Sequence, residues 1–474
     1  MKIKILLTSL IAGILIIAVG CSTDTKKEKE QTPIKSLADV FTNLKPATQL
    51  FDVKPTEETL LKGKKGTVIY LPQNAFQFLD GTMPSGNVII ELKECYTLSD
   101  MIAENLSTTS ENQLLQTAGM IYIKATAEGK ELAIKNGKAF TIGFPKGNQS
   151  DTMDLFYDFK VANEKSTWIP DYKMYEAEAQ VKFKNDTNKG EGDRALKLDY
   201  PVEMTDDLYD YGFTWCLETS TFYELKLKGQ DKTILDYIND PSNISDSIAK
   251  QFIKNDWRVH LDFNIDKNGR MNSFRATNDE YTKYTDYAAK ITEDFLKSAP
   301  AFDLDRYKDG VKLDWDYSLG IMGNKQINWL RFKNKFRDKF AEYKNKAIQK
   351  LDKTALDYYL FSATKMNWIN CDKFWNTPDE KIEFFVKAKN TKDVKIQIMF
   401  TDINSIMNGT LKGDKFVFSN IPINRKIKVI GISYLNGKPT LSSALTKVDK
   451  DGFELTAFKE FSLDQLEEEL NKKN

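Results

Sequence analysis

The sequence predicts a multi-domain α+β protein with a β-sandwich towards each end and, between them, a ββαβ module plus a long amphipathic helix. Three observations predict this class. The chain has 474 residues, which is enough for roughly three domains of about 150 residues each. Short alternating apolar runs separated by Gly and Asn turns fill residues 60–176 and 383–474, as is typical of sandwiches. The clearest helical periodicity lies between these two regions.

The first 21 residues have the pattern of a secretory signal. Lys2 and Lys4 precede an apolar run of about 15 residues, whereas a bilayer span needs roughly 20. The stretch from Ala18 to Cys21 resembles a bacterial lipoprotein signal, which implies cleavage before Cys21 and lipidation of that residue. The alternative is an uncleaved N-terminal membrane anchor. Residues 1–20 are therefore predicted to be removed, and the lipid on Cys21 is predicted to bind the membrane.

Residues 21–59 are predicted to tether the folded part to the membrane. The stretch Ser22–Lys35 is charged, contains Pro33 and has Ile34 as its one apolar residue, which is typical of a flexible linker. It also resembles the export signal of surface-exposed Bacteroidota lipoproteins. The expected location is therefore the outer membrane, on its periplasmic or its outward face.

Residues 60–176 are predicted to form the first sandwich. The run Val68–Phe76, the later strand that begins at Gly119 and the turn at Asn136 and Gly137 resemble ZU5-like domains. The resemblance implies a non-catalytic interaction or spacer module. Some ZU5-containing proteins cleave themselves at a His-Phe-Ser site, but this region contains no histidine. Self-cleavage is therefore not expected.

Residues 177–234 are predicted to be a linker with strands, because Ala177–Lys197 is charged, and residues 235–322 are predicted to form an α/β module. The ββαβ order of this module and its stretch Val259–Gly269 resemble the TonB C-terminal domain family. The resemblance implies a small fold that binds partners by strand pairing at an open edge. The predicted elements are, in chain order, a helix, two strands, a helix and a strand: Pro241–Asn255, Arg258–Ile265, Met271–Ala276, Tyr284–Lys297 and Val311–Ile321.

Residues 323–382 are predicted to contain a long helix and a Trp-rich connector. From Gln326 to Lys353, apolar residues recur every three or four positions and the other faces are rich in basic residues. Such a helix either touches anionic lipid or a partner, or packs its aromatic stripe on a core. The second interpretation is favoured because such stripes usually are core. The stretch Trp368–Phe374 predicts a buried turn and resembles a segment of uncharacterised Bacteroidota lipoproteins with the same ZU5-like start.

Residues 383–474 are predicted to form the second sandwich, closed by a short helix. The alternating runs include Val394–Phe400 and Phe416–Pro422. The second of these is similar to carboxypeptidase-regulatory-like sandwiches, which implies a structural or adhesive role. Ser462 and Gln465 have the spacing of a capping box, which predicts the start of the terminal helix.

The composition argues against several chemistries. Basic and acidic residues number 68 each, so no net charge favours nucleic acid as a partner. His260 is the single histidine, so a two-histidine metal site cannot be built and a catalytic triad would have to use it. Besides Cys21, the thiols of Cys95, Cys216 and Cys371 lack CxxC spacing and are predicted to be buried, with one disulfide as the alternative. No catalytic residue, metal site or cofactor is predicted.

Three functions fit these features. The favoured one is a lipid-anchored envelope protein that acts as a non-enzymatic interaction or structural module, with an envelope protein as its partner. The second is a hydrolase of envelope glycan, because cleavage by two carboxylates needs no histidine. The third is a carbohydrate-binding surface lipoprotein that stacks sugars on exposed tryptophans. The candidate interaction residues are Trp257, Trp315 and Trp375.

Overall fold

The structure is a computed structural model that describes residues 33–111, 113–147, 151–160, 167–174, 203–217, 225–306, 317–351, 356–388 and 393–472. The chain divides into two compact units, one formed by Met1–Pro201 with Phe336–Asn474 and the other by Val202–Lys335. The second unit is therefore inserted into the sequence of the first. Helices and several separate sheets occur together, which confirms the predicted strand-rich α+β class.

The described residues form eight α-helices and 26 β-strands. The helices are α1 (Leu37–Leu44), α2 (Leu98–Ala103), α3 (Ile234–Ile238), α4 (Asp246–Asn255), α5 (Asp286–Ser298), α6 (Trp329–Lys339), α7 (Ala341–Leu351) and α8 (Leu463–Asn471). The strands up to the inserted unit are β1 (Gln49–Val53), β2 (Thr59–Lys62), β3 (Val68–Leu71), β4 (Phe76–Phe78), β5 (Val88–Cys95), β6 (Thr109–Ser110), β7 (Gln113–Ala127), β8 (Lys130–Ile134), β9 (Phe140–Pro145), β10 (Asp154–Phe159) and β11 (Thr167–Pro170). The inserted unit has β12 (Tyr209–Leu217), β13 (Arg258–Ile265), β14 (Met271–Thr277) and β15 (Tyr317–Ile327). The remaining strands are β16 (Tyr358–Ala363), β17 (Asn367–Phe374), β18 (Lys381–Ala388), β19 (Val394–Phe400), β20 (Ser405–Asn408), β21 (Thr410–Lys412), β22 (Lys415–Pro422), β23 (Lys426–Leu435), β24 (Lys438–Lys447), β25 (Phe453–Leu455) and β26 (Lys459–Glu460).

Two antiparallel sheets form the N-terminal sandwich of the first unit. The larger sheet has the main order β1-β5-β7-β17-β10-β11, and the smaller has the order β16-β9-β3-β2. Burial alternates along β5 and along much of β7, so every second side chain of these strands faces the core. Ile90 and Ile121 of the larger sheet share that core with Phe140 and Phe144 of the smaller one.

Strands β16 and β17, which follow the inserted unit in the sequence, complete this sandwich. β17 pairs with both β7 and β10, and β16 pairs with β9. The stretch Trp368–Phe374 is therefore part of a central strand, and its prediction as a turn is wrong. Asn370 and Asp372 explain the error, because both residue types are depleted in strands although both are fully buried here. The predicted connector thus contributes two strands to the N-terminal sheets.

The helix predicted from Gln326 to Lys353 is two helices, α6 and α7, so the prediction of one continuous helix is wrong. At the break, Phe340 N donates to Arg337 O and Tyr343 N donates to Phe340 O. These hydrogen bonds join residues three positions apart, as in a 3₁₀-helix, and so close turns that are tighter than those of an α-helix. The predicted burial of the aromatic stripe is confirmed, and its buried members are Phe332, Phe336, Phe340, Tyr343, Ala347 and Leu351.

The predicted C-terminal sandwich is present in the first unit. Its two sheets have the orders β21-β22-β18-β25 and β20-β19-β23-β24-β26. Phe384, Ile398 and Val429 lie in the core of this sandwich. Helix α8 begins with the predicted capping box, in which Ser462 Oγ accepts from Gln465 N and the Gln465 side chain accepts from Ser462 N.

A shared apolar core joins the two sandwiches. Backbone hydrogen bonds cross the junction from Thr117 N to Asn404 O at 2.9 Å and from Thr108 N to Ile406 O at 2.8 Å. Helices α1, α2 and α8 contribute to this core along with strands of both sandwiches, so apolar packing is continuous across the junction. Helix α1 and strand β1 lie within residues 21–59, so the prediction that this whole stretch is a tether is wrong from Leu37 onwards, where apolar side chains pack on the core. Its buried members include Val40, Met101, Met120, Phe156, Trp168, Ile430, Ile432 and Leu466.

The second unit is a four-stranded antiparallel sheet in the order β12-β15-β13-β14, on which helices α3, α4 and α5 pack. Phe213, Phe252 and Phe295 lie at the centre of its core. The predicted ββαβ order is present as β13, β14, α5 and β15, and β12 adds a strand beside β15. The first predicted helix begins at Asp246 rather than Pro241, and the last strand is described from Tyr317 to Ile327.

The variant Ile369→Ala tests whether β17 is a structural part of the N-terminal sandwich. Ile369 is fully buried, and truncation of such a side chain destabilises a protein by about 2–5 kcal/mol. We expect the urea midpoint of the first unit to fall accordingly. Leu356→Ala, at a position that is 83% exposed, should change stability by less than about 0.5 kcal/mol. Urea unfolding followed by tryptophan fluorescence measures both, and equal midpoints would contradict the place of β17.

Candidate functional site

The hairpin of β13 and β14 forms one margin of the sheet in the second unit. Asp266 sets its turn, because Oδ1 accepts hydrogen bonds from the backbone N of Asn268 and of Arg270 at 2.8 and 2.9 Å. Gly269 completes the turn with a φ of +77°, and a Cβ at this position would lie 2.3 Å from the carbonyl oxygen of Phe302. The local sequence thus fixes the turn of the hairpin, and β14 is the last strand in the order of the sheet.

Strand β14 is an edge strand, since within the described residues it pairs with β13 alone. Strand β14 has one extra residue opposite the part of β13 between Asp262 and Asn264, which makes a β-bulge. Within this bulge Ser273 has a φ of +55°. Beyond the bulge, Arg275 and Ala276 are exposed, and Arg275 pairs with Asp262 at 3.0 Å. The end of β14 is therefore a short strand segment with exposed residues, and β13 is its one strand partner among the described residues.

His260 lies in β13 and pairs with one acidic side chain. Its Nδ1 is 3.0 Å from Oδ2 of Asp279, and its buried Nε2 has no hydrogen-bond partner in the part of the chain that is described. The hydrogen bond with His260 holds the pKa of Asp279 below its ordinary value. A catalytic triad needs a hydroxyl or thiol at the second ring nitrogen, and none of the described residues supplies one there. We assign the pair a structural role, in which it holds the loop after β14.

The residues predicted for lipidation and interaction occupy different places. Cys21 and Trp315 lie outside the described residues. Trp257 is half-buried against the core of the second unit, where it meets two aromatic rings edge-on. Trp375 is half-buried against the C-terminal core, with the guanidinium of Arg425 4.7 Å from its ring centroid. Both rings pack within the protein, and their part in ligand binding stays a prediction.

Cys95 and Cys371 are free thiols that are fully buried. Burial raises the pKa of both thiols well above the ordinary value, so the reactive thiolate form is disfavoured. The prediction of buried thiols is confirmed for these two residues. The side chain of Cys216 lies outside what the structure describes.

Asp372 is a fully buried carboxyl in the central strand β17. Its Oδ2 accepts a hydrogen bond from Asn370 Nδ2 at 2.5 Å, and Asn370 Oδ1 accepts one from Thr117 Oγ1 at 3.0 Å. Burial raises the pKa of Asp372 well above its ordinary value, so the neutral acid is favoured. No sequence pattern singles this residue out, because an aspartate between strand residues reads as a turn former.

A polar cleft of about 980 Å³ opens in the first unit between its two sandwiches. The turn after α2, β10, β11 and β17 line one side, and β19 to β22 line the other. In this cleft Lys395 Nζ donates to Oδ1 of Asn105, and burial together with the nearby charge of Lys45 lowers the pKa of Lys395 to about 8. The sequence carries no local signal for the cleft, because these partners are 290 positions apart.

Comparison of the chain with protein-family models, with curated proteins and with solved structures finds no match in any of the three. Among the described residues, no three His, Cys, Asp or Glu side chains are grouped so that they could hold a metal ion. No helix in the same part of the chain combines the length and apolarity needed to cross a bilayer. Functional assignment therefore rests on the side chains and strand edges of this chain.

The variant Asp372→Asn tests the protonation of the buried carboxyl. An acid whose pKa rises on folding adds stability that is fully present below its unfolded pKa of about 3.9 and is lost as the pH rises towards the folded pKa. Asparagine has a similar shape and no such dependence. We therefore expect the melting temperature of the variant, relative to the wild type, to increase between about pH 4 and about pH 8. Thermal melts at both pH values measure this difference, and a constant offset would contradict a neutral Asp372.

Proposed function

We propose that this chain is a lipid-anchored envelope protein that binds other proteins and has no enzymatic activity of its own. The observation that carries the proposal is the edge strand β14, which has β13 as its one strand partner among the described residues. Such an edge accepts an extended segment of another chain. The backbone of that segment supplies affinity and its side chains supply specificity.

The local structure of β14 favours selective rather than general pairing. A long, flat edge promotes aggregation, and bulges or charged side chains limit unspecific pairing. Strand β14 has both features, in the bulge at Ser273 and the charge of Arg275. Beyond the bulge, Ala276 is an exposed residue of this strand. A partner must therefore match a short edge on which Arg275 is already paired with Asp262.

The N-terminal sequence supports the membrane part of the proposal. Its resemblance to a lipoprotein signal implies acyl chains on Cys21, and each buried CH₂ contributes about 0.8 kcal/mol to membrane binding. Two or more chains make that attachment effectively permanent. Partners on the same membrane then meet at high effective concentration, which strengthens weak edge contacts. The outer membrane is the proposed location, and the ZU5-like and TonB-like resemblances agree with a role in contacts.

The variant Cys21→Ser tests the anchor. It removes the thiol that would carry lipid, so we expect loss of metabolic labelling by a palmitate analogue and release of the protein from the membrane fraction. Cys95→Ser is the matched control, because Cys95 is buried in the fold and should not affect labelling. Labelling of Cys21→Ser at the wild-type level would contradict lipidation at this residue.

A photo-activated cross-linking amino acid at Ala276 tests the edge. We expect it to capture a defined envelope protein in intact cells, since this position lies on the exposed end of β14. The control is the same amino acid at Leu79, which is 80% exposed in the first unit and should not give that product. The edge assignment would be contradicted by the same products at both positions, or by no product at Ala276.

A further inference from the structure

The cleft between the two sandwiches is lined mainly by neutral hydrogen-bonding side chains. Four carboxamides and five hydroxyls line it, with two carboxylates and two amines. The charges of Glu111 and Asp158 offset those of Lys160 and Lys395. Its volume of about 980 Å³ is at the upper end of the roughly 300–1,000 Å³ of natural small-ligand sites. This lining suits an uncharged ligand with many hydrogen-bonding groups better than a phosphate or a charged peptide.

A chain of hydrogen bonds holds the polar groups at one end of the cleft. Gln397 Nε2 donates to Asn408 Oδ1, and Asn408 Nδ2 donates to the carbonyl oxygen of Asn105 at 3.1 Å. Asn105 follows α2 with a φ of +59°, a left-handed conformation that asparagine tolerates. Lys395 uses one of its three N–H donors on Asn105 Oδ1. Because these side chains are already held in place, a ligand loses little free energy in ordering them.

Two indole rings border the same cleft, and that of Trp368 is the one with exposed apolar surface. Trp168 is almost fully buried, and its Nε1 donates to the carbonyl oxygen of Ser107 at 2.5 Å, which fixes the ring. Trp368 is half-buried, with its ring centroid 5.3 Å from that of Tyr122 on the neighbouring strand. Sugar rings match such a lining, because their C–H faces pack on aromatic rings while their hydroxyls donate and accept hydrogen bonds.

We propose that this cleft binds a neutral oligosaccharide, with Asn105 and Lys395 bonding to sugar hydroxyls and Trp368 on the apolar face. The site shares no residue with the proposed protein contact, because every residue that lines it belongs to the first unit. It also uses tryptophans other than Trp257 and Trp375. An extended peptide fits less well, since peptides are held chiefly by main-chain pairing and side chains line this cleft.

The test uses the whole chain and an array of neutral α- and β-linked glucans, mannans and chitin oligosaccharides. Calorimetry with the best-bound sugar then gives Kd for the wild type and two cleft variants. Asn105→Gly removes the side chain, and glycine retains the left-handed backbone. Lys395→Met removes the amine and keeps the length of the side chain. Each variant is expected to raise Kd about 10-fold, as the loss of one hydrogen bond to the ligand would.

Asn436→Gly is the matched control. Asn436 also has a positive φ, of +51°, but lies in the turn between β23 and β24 and does not line the cleft. It should bind the sugar as the wild type does, and thermal melts should show that all three variants are folded. Loss of binding confined to Asn105→Gly and Lys395→Met would support the proposal.

Three outcomes would overturn the proposal: no neutral oligosaccharide binds, both cleft variants bind the sugar as the wild type does, or Asn436→Gly loses binding as much as they do. Cross-linking from Ala276 reports on the other unit and does not involve these variants. Failure of sugar binding and failure of the proposed protein contact are therefore distinguishable.

Discussion

The apolar core shared by the two sandwiches is the interaction on which the first unit depends. Helices α1, α2 and α8 bury Val40, Met101 and Leu466 there, against strands that come from both sandwiches. Each such side chain contributes about 1.5–3 kcal/mol, and the net stability of a domain is only about 5–15 kcal/mol. The free energy lost with a few of these contacts would therefore exceed the net stability of either sandwich. The two sandwiches are best regarded as one cooperative body, and the cleft between them has walls that the same core holds.

Strand β17 gives this body its second constraint, because it brings residues from beyond the inserted unit into the middle of the N-terminal sheet. Thr117 and Asn370, which are hydrogen-bonded, are 253 positions apart. Pairing over such a separation must close a long loop, which slows folding. The strand also carries Asp372 into a fully buried place, where the neutral acid is favoured because burial disfavours the charged form. The N-terminal sandwich therefore becomes complete only when most of the chain has been made.

Local sequence patterns were sufficient to predict many elements of this fold. Alternation predicted the strand that carries His260, the Ser462 capping box predicted α8, and three- and four-residue spacing predicted a buried aromatic stripe. The predictions that were wrong concern features that depend on tertiary structure. Asn370 and Asp372 are tolerated in a central strand because they are hydrogen-bonded to each other and buried as neutral groups. The long helix is interrupted at Phe340 by tight turns. The same distinction applies to the sites. The strands predicted at Arg258–Ile265 and Met271–Ala276 form the hairpin whose second strand is the edge among the described residues, whereas the cleft joins residues that no local pattern relates.

The two proposed sites have no residue in common, because they belong to different units. The edge strand lies in a unit with its own sheet and core, and the cleft depends on contacts within the other unit. Because they share one core, the two sandwiches should unfold together. Native-state hydrogen exchange of the intact chain in increasing urea measures this most directly. Amides of β7 and β23 should lose protection at the same urea concentration. Loss of protection in β23 while β7 remains protected, or the reverse, would contradict a single cooperative body.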